Sequence, residues 1–243
     1  KAGKHVYCEK GLTRTFEETI KVYDVVKETG ITFQLGHQNR QVEANEKAKQ
    51  IIDQGLLGPI NMVELTTNRN SPWGAWVWDI HPEGNANTID WKTFQEPVAL
   101  RNRIPFGDEA LKRFFRWRCW YDYGTGLSGD LLSHDYDTIN QIMDIGIPKY
   151  ASSTGGIYFY KDGRDVPDVW NATFEFPDKD LTVLYSATLS SNNPRGNRIM
   201  GHDATMMMGG QSGGGNIHGF IVTPDDASTQ YRDRIQNGII NTR

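Results

Sequence analysis

Three short stretches of the chain carry residues able to do proton and anion chemistry. The first is Glu9-Lys10-Gly11, placed where a short strand ends and a helix is about to begin. A lysine there can donate to a reacting oxygen, and a glutamate can accept from a ribose or amide group. A solvated Glu-Lys pair in a loop fits the same local residues. The second is Gly124-Thr125-Gly126, followed by Gly129-Asp130 and, four residues on, His134, then Asp137. On a helix, Asp130 and His134 share a face. A carboxylate beside an imidazole fixes its tautomer and strengthens its hold on a proton, which suits a general acid/base pair. A helix-terminal Asp and a satisfied core His account for the same pattern. The third is Gly36-His37-Gln38-Asn39-Arg40, where Asn39 or Arg40 could meet a phosphate or amide, or simply close a polar strand end.

A further segment, Arg116-Trp117-Arg118-Cys119-Trp120, interleaves cations with aromatic rings. That suits a sugar, whose ring stacks on aromatic faces while Arg bonds hydroxyls or carboxylates, and it suits ordinary packing equally. Cys119 reads as buried and not as a nucleophile. One histidine with scattered aspartates lacks third and fourth metal ligands, so no metal site is expected.

The elements that must position these residues follow from periodicity. Thr15 and Glu18 form a capping box; Phe16, Ile20, Tyr23 and Val26 recur at helical spacing, and Gly30 stops the helix. Ile31, Phe33 and Leu35 alternate as a strand, with His37 to Arg40 as its polar end. A second helix is expected from about Val42 to Gln54. Strand, helix, strand, helix is the alternation of a parallel sheet with crossover helices.

Beyond Gly58-Pro59 the character changes. Ile60 to Thr67 reads as a strand, and Asn68 to Gly107 as an irregular, Trp-rich stretch suited to binding. Helices are expected over Asp108 to Phe115 and Gly129 to Met143, and strands over Ala151 to Tyr160, Val169 to Phe176 and Leu181 to Leu189. Asp162-Gly163 and Pro177-Asp178 are hairpin signals, and Gly209 to Gly215 reads as a flexible loop. The expected division is residues 1–58 and 59–243.

Composition excludes other classes. With 26 basic against 30 acidic residues, the chain lacks the basic excess that phosphate neutralisation requires, so nucleic acid is not an expected partner. No apolar run approaches the roughly 20 residues of a membrane span. Two cysteines are too few for a disulfide framework.

Taken in order, the motifs resemble the glucose-fructose oxidoreductase / inositol dehydrogenase / rhizopine catabolism family, Gfo/Idh/MocA. Gly3-Lys4-His5-Val6-Tyr7-Cys8-Glu9-Lys10 is similar to its "GKHV-x-CEKP" segment. Gly55-Leu56-Leu57-Gly58-Pro59-Ile60 matches a family step. Gly124-x-Gly126 with Asp130, His134 and Asp137 matches "GGG-x-x-x-D-x-x-x-H-x-x-D". The chain departs from the pattern at Gly11, where the family usually has Pro, and it contains no G-x-G-x-x-G ahead of the Lys motif.

The resemblance implies α/β plus α+β architecture. It makes residues 1–58 the C-terminal part of an NAD(P)-binding Rossmann fold. Residues 59–243 become an α+β substrate and oligomerisation domain with an open, mostly antiparallel sheet, incomplete at its C-terminus. On this view the chain is a segment of a longer one, its start lying about a hundred residues upstream. The resemblance further implies NAD or NADP as cofactor and a carbohydrate or polyol substrate, with assembly as a homo-oligomer, a dimer or tetramer. Lys10 would orient the substrate hydroxyl, His134 act as base, and Asp130 position His134 and bind substrate. Glu9, Lys10, Asn39 and Arg40 would lie near the cofactor, and Arg118 in the substrate pocket. The activity implied is oxidation of a sugar, polyol or glycan-derived hydroxyl. Two alternatives are glycoside hydrolysis through transient C3 oxidation, and non-catalytic sugar binding on the same scaffold. A cytoplasmic location is favoured by free cysteines and the cofactor. A periplasmic or secreted one stays open, because any leader would precede Lys1.

Overall fold

The computed structural model describes residues 2–96, 103–209 and 219–237. The chain opens with β1 (Val6–Glu9), α1 (Phe16–Thr29) and β2 (Phe33–Gly36), and β1 and β2 pair in parallel with Val6 opposite Phe33. The capping box is formed: Glu18 N–H donates to Thr15 Oγ1 at 3.2 Å, and the Glu18 carboxylate accepts from Thr15 N–H at 3.3 Å. Gly30 closes the helix in the left-handed region, φ 62°, its N–H donating to Val26. The apolar stripe of α1 stays uncovered, with Phe16 73% exposed, because β1 and β2 alone offer too little surface to bury it.

The polar strand end expected at His37 to Arg40 is instead a 3-10 turn, Gln38–Gln41, leading into α2 (Glu43–Asp53). Without a branched apolar side chain to pack, these polar residues gain more from the turn's backbone bonds than from extending an edge, and Val42 N–H closes the turn on Asn39 O at 3.1 Å.

A seven-stranded sheet holds most of the remaining chain. Its strands are β3 (Ile60–Asn68), β4 (Tyr150–Gly156), β5 (Val169–Phe176), β6 (Leu181–Thr188), β7 (Asn197–Gly201), β8 (Ala204–Met208) and β9 (Phe220–Pro224). They lie in the order β4-β5-β6-β3-β7-β8-β9, and only β3 and β6 run parallel, so the sheet is open and mostly antiparallel. Strand periodicity explains the core. Leu181, Val183, Tyr185 and Ala187 on β6 are buried on one face, next to Val63 and Leu65 of β3. The helices covering the sheet include α5 (Ser133–Met143), which supplies Ile139 and Ile142 and packs on α2 through Ala48.

Other sequence expectations shift in detail. Pro177-Asp178 does turn the β5–β6 hairpin, with Asp180 left-handed at φ 50°. Asp162-Gly163 is not a tight hairpin turn: β4 ends at Gly156, and the long connection to β5 is pinned by the buried Asp168. That carboxylate accepts from the N–H groups of Tyr158, Phe159 and Tyr160 at 2.7–2.9 Å. Within the Trp-rich stretch, α3 (Trp91–Gln95) joins α4 (Asp108–Phe115) in a small second core of Ile89, Trp91 and Ala110 with surrounding Phe residues. Trp91 Nε1 donates to Ile104 O at 2.9 Å. The last helix among the described residues is α6 (Arg232–Gln236). The expected Gly-rich loop lies, after Gly209, outside the described residues.

Candidate functional site

The site forms where the carboxyl ends of the parallel pair β1–β2 meet the segment entering α5. Ligands bind at such strand ends in open α/β sheets because the loops and helix termini converge there. Lys10 follows β1, and His37 with the 3-10 turn follows β2. Asp130 lies in a π turn, Ser128–Leu132, that runs directly into α5, which carries His134 and Asp137. The helix expected over Gly129 to Met143 is not α throughout: it opens on the wider π turn, a device frequent at functional sites. Gly129 makes it possible. A Cβ at Gly129 would stand 1.9 Å from Thr125 Oγ1, so no larger residue fits without moving Thr125. Gly126 sits at φ +64°, where only glycine is unstrained.

Lys10, Asp130 and His134 come together from across 120 residues of chain. The Lys10 ammonium donates to the Asp130 backbone carbonyl at 2.6 Å and lies 3.8 Å from the Asp130 carboxylate. The Lys10–Gly11 peptide is cis. Arg118 Nε donates to the same carboxylate at 2.9 Å, while its guanidinium lies over the Trp117 ring, 4.1 Å from the centroid. The expected hydrogen bond between Asp130 and His134 is not made. Two cations compete for the Asp130 carboxylate and outbid a neutral imidazole.

His134 has a different set of neighbours. Its ring meets His37 edge to face, with centroids 5.7 Å apart. Burial, reinforced by the Lys10 and His37 charges, pushes its pKa down to about 4. The imidazole is therefore neutral at pH 7 and free to accept a proton. His37 is shifted downward too, chiefly by burial, while Asp137 pulls the other way. Burial lowers Lys10 as well, against the opposing pull of Asp130.

Arg40 is not aimed at a free anion. Its guanidinium grips Asp137 bidentately, Nε and Nη2 donating at 2.7–2.9 Å. The backbone of the turn is tied down as well: Gln141 Nε2 donates to Arg40 O at 3.0 Å, and Asn45 Nδ2 donates to Asn39 O at 2.8 Å. Glu9 is exposed at the end of β1. Of the sequence candidates, then, Lys10, Asp130, His134 and Arg118 converge, Arg40 is a brace, and Glu9 and Asn39 flank the strand ends. His37 and Asp137 stand in the site without a role assigned to them from the sequence: both fall in the stretches singled out above, but only the fold brings His37 against His134 and within 4.0 Å of Asp137.

Beside Lys10 and Asp130 opens a cavity of about 820 Å³, lined also by Gly11, Arg14, Trp117 and Tyr123. Three buried polar atoms have no hydrogen-bond partner: Asp130 Oδ2, on a residue that lines this cavity, and the Nδ1 atoms of His134 and His37. Orphaned groups of this kind are costly unless a bound molecule completes them. Together with exposed Glu9 they leave polar groups at the strand ends that a bound molecule could complete. Among the described residues no group of His, Cys, Asp and Glu could hold a metal, and no helix is long and apolar enough to cross a membrane. Cys119 is buried, its thiol pushed up to about 11, as expected for a packed cysteine.

No family model matches the chain. Levoglucosan dehydrogenase of Pseudarthrobacter phenanthrenivorans is 26% identical over 165 residues, which is 64% of this chain and 33% of that protein. The scyllo-inositol 2-dehydrogenase (NADP(+)) IolW of Bacillus subtilis is 25% identical over 213 residues, 87% of this chain and 47% of that protein. The WlbA dehydrogenase of Bordetella pertussis, solved in complex with NADH and UDP-GlcNAcA, has the same fold. Its TM-score is 0.63 at 18% identity, covering 98% of this chain and 62% of that one. The chain spans 33% and 47% of the length of the two curated relatives.

Proposed function

We propose that this chain, a member of the Gfo/Idh/MocA family of oxidoreductases, serves an NAD(P)-dependent oxidoreductase that acts on a hydroxyl of a sugar, polyol or glycan-derived substrate. The observation that carries this reading is the convergence of Lys10, Asp130 and a neutral His134 at the carboxyl ends of β1 and β2. In this assignment residues 1–58 belong to the cofactor domain and residues 59–243 to the substrate domain.

When bound, the nicotinamide supplies the acceptor for the hydride that leaves the substrate carbon. The chain's own residues manage the proton and the charge. His134 takes the hydroxyl proton, for which its neutral, buried imidazole is ready at pH 7. Lys10 donates a hydrogen bond to the same oxygen and stabilises the negative charge that develops there. Asp130 holds Lys10 through its carbonyl and Arg118 through its carboxylate, so both cations face the substrate in fixed positions. Glu9 and Asn39 would hold the cofactor at the strand ends, while Arg40 fixes the turn by gripping Asp137.

The test is reduction of NAD or NADP by the intact protein across a panel of sugars and polyols, followed by nicotinamide absorbance. The reading predicts substrate-dependent reduced cofactor. Glycoside cleavage with no net reduced cofactor would replace net oxidation by a transient one. Binding of sugar without either reaction would leave a non-catalytic scaffold.

A further inference from the structure

The cavity beside Lys10 and Asp130 has a neighbour. A second cavity, of about 520 Å³, is lined by Arg113, Trp120, Tyr121 and Asp165, and it shares Arg14, Asp122 and Tyr123 with the first, so the two adjoin. Arg14 stands four residues after Lys10, and its guanidinium donates to Asp122 O at 2.6 Å and to Tyr121 O. Both volumes, about 820 and 520 Å³, lie in the range of small-molecule sites, roughly 300–1,000 Å³.

The walls of the second cavity are fixed before anything binds. Tyr121 is pinned on both sides of its backbone: its N–H donates to Asp165 Oδ1 at 2.8 Å, and its carbonyl accepts from Arg14. Its ring is nevertheless 45% exposed. Tyr123 stacks on Phe94 with centroids 5.4 Å apart and tilts against Trp91, and its N–H donates to Trp120 O at 3.0 Å. The Arg113 guanidinium lies over the Trp120 ring, 4.8 Å from the centroid. Asp165 N–H donates to Cys119 O at 3.2 Å. Little ordering is therefore left to be done on binding. Among the described residues lining this cavity, two arginines are matched by two aspartates. A phosphate or carboxylate would meet Asp122 and Asp165 as like charges. Ring faces beside a carboxylate and a guanidinium suit a neutral ring edged with hydroxyls. Such a ring stacks on the aromatic face, and its hydroxyls donate to the carboxylate and accept from the guanidinium.

We infer that this second cavity is a subsite for a further, neutral sugar unit, so that the substrate is a glycoside of at least two units. One unit presents its hydroxyl beside Lys10, and the next lies against Tyr121 with Asp165 and Arg113 at its hydroxyls. The inference rests on the oxidoreductase reading for what happens beside Lys10, and it adds the length and charge of the substrate.

The test separates binding from turnover. Isothermal titration of the intact protein compares D-glucose, D-galactose and D-mannose with α- and β-linked disaccharides of each. At least one disaccharide should bind about ten-fold or more tightly than its monosaccharide. Tyr121→Ala should collapse that ratio to near one, and Tyr121→Phe, which keeps the ring, should retain most of it. Asp165→Asn keeps the oxygen that accepts from Tyr121 N–H and should also lower the ratio. Cofactor reduction is measured on the same sugars. If a disaccharide is preferred through Tyr121 but no cofactor is reduced, the inference stands and the redox reading falls. If monosaccharides reduce the cofactor and no disaccharide is preferred, the redox reading stands and the inference is overturned. A preference that survives Tyr121→Ala, or an equal loss of monosaccharide and disaccharide binding in that variant, would also overturn it. So would tighter binding of UDP-glucose than of any disaccharide, because the second unit would then be an anionic nucleotide.

Discussion

The Lys10 ammonium donates to the backbone carbonyl of Asp130 at 2.6 Å, while the Asp130 carboxylate turns to Arg118. A main-chain oxygen in the π turn therefore holds the lysine, and the side chain beside it is left to organise a second cation. This separates what a substitution at Asp130 removes from what one at Lys10 removes.

Lys10→Met should lower turnover by about 10² or more, because it deletes a donor to the reacting oxygen. Asp130→Asn keeps the carbonyl and so keeps the Lys10 contact; its loss should be smaller and expressed more in KM, through Arg118. Steady-state kinetics of the two variants, with circular dichroism as the fold control, check the order.

His134 also sets a pH dependence of stability. Its folded pKa, about 4, lies below the unfolded value of 6.5. Between these values the unfolded chain binds the extra proton, so stability is complete above about pH 6.5 and falls as the pH drops toward 4. The loss is on the order of 3 kcal/mol, and His37 adds to it in the same direction. Denaturant unfolding at several pH values should show this slope in the wild type and a flatter one in His134→Asn.

Asp137 is the carboxylate that opposes this shift in both imidazoles. Asp137→Asn should therefore move the acid limb of the rate profile lower still and release Arg40. Since Arg40 is 48% exposed, the stability cost should be only about 1 kcal/mol. A pH–rate profile beside a thermal melt distinguishes the two effects.

Gly129→Ala should cost about 1–3 kcal/mol and distort the π turn, because its Cβ would stand 1.9 Å from Thr125 Oγ1. Thr125→Gly removes the atoms in the way. A double-mutant cycle by denaturant unfolding should show favourable coupling between the two changes.

How far the sequence reached follows from the range of each interaction. The capping box at Thr15, the stop at Gly30 and the alternation of β6 depend on residues a few positions apart, and they were readable as written. The meeting of Lys10 with Asp130 and His134 was readable only because their motifs resemble a family in which they meet. Partner choice was not. Spacing put Asp130 and His134 on one face, but the Asp130 carboxylate went to Arg118 because a charged donor outcompetes a neutral ring. The turn at Gln38–Gln41 was hidden for a similar reason: it is braced by Asn45 and Gln141, and Gln141 lies about a hundred residues away.

The central claim is that His134 takes the proton of a substrate hydroxyl that Lys10 holds. The most direct measurement is cofactor reduction by the intact His134→Asn protein, at saturating substrate and neutral pH, against the wild type. The account predicts a fall in kcat of about 10²–10⁴ with substrate affinity largely kept. Turnover at the wild-type rate in the well-folded variant would contradict it.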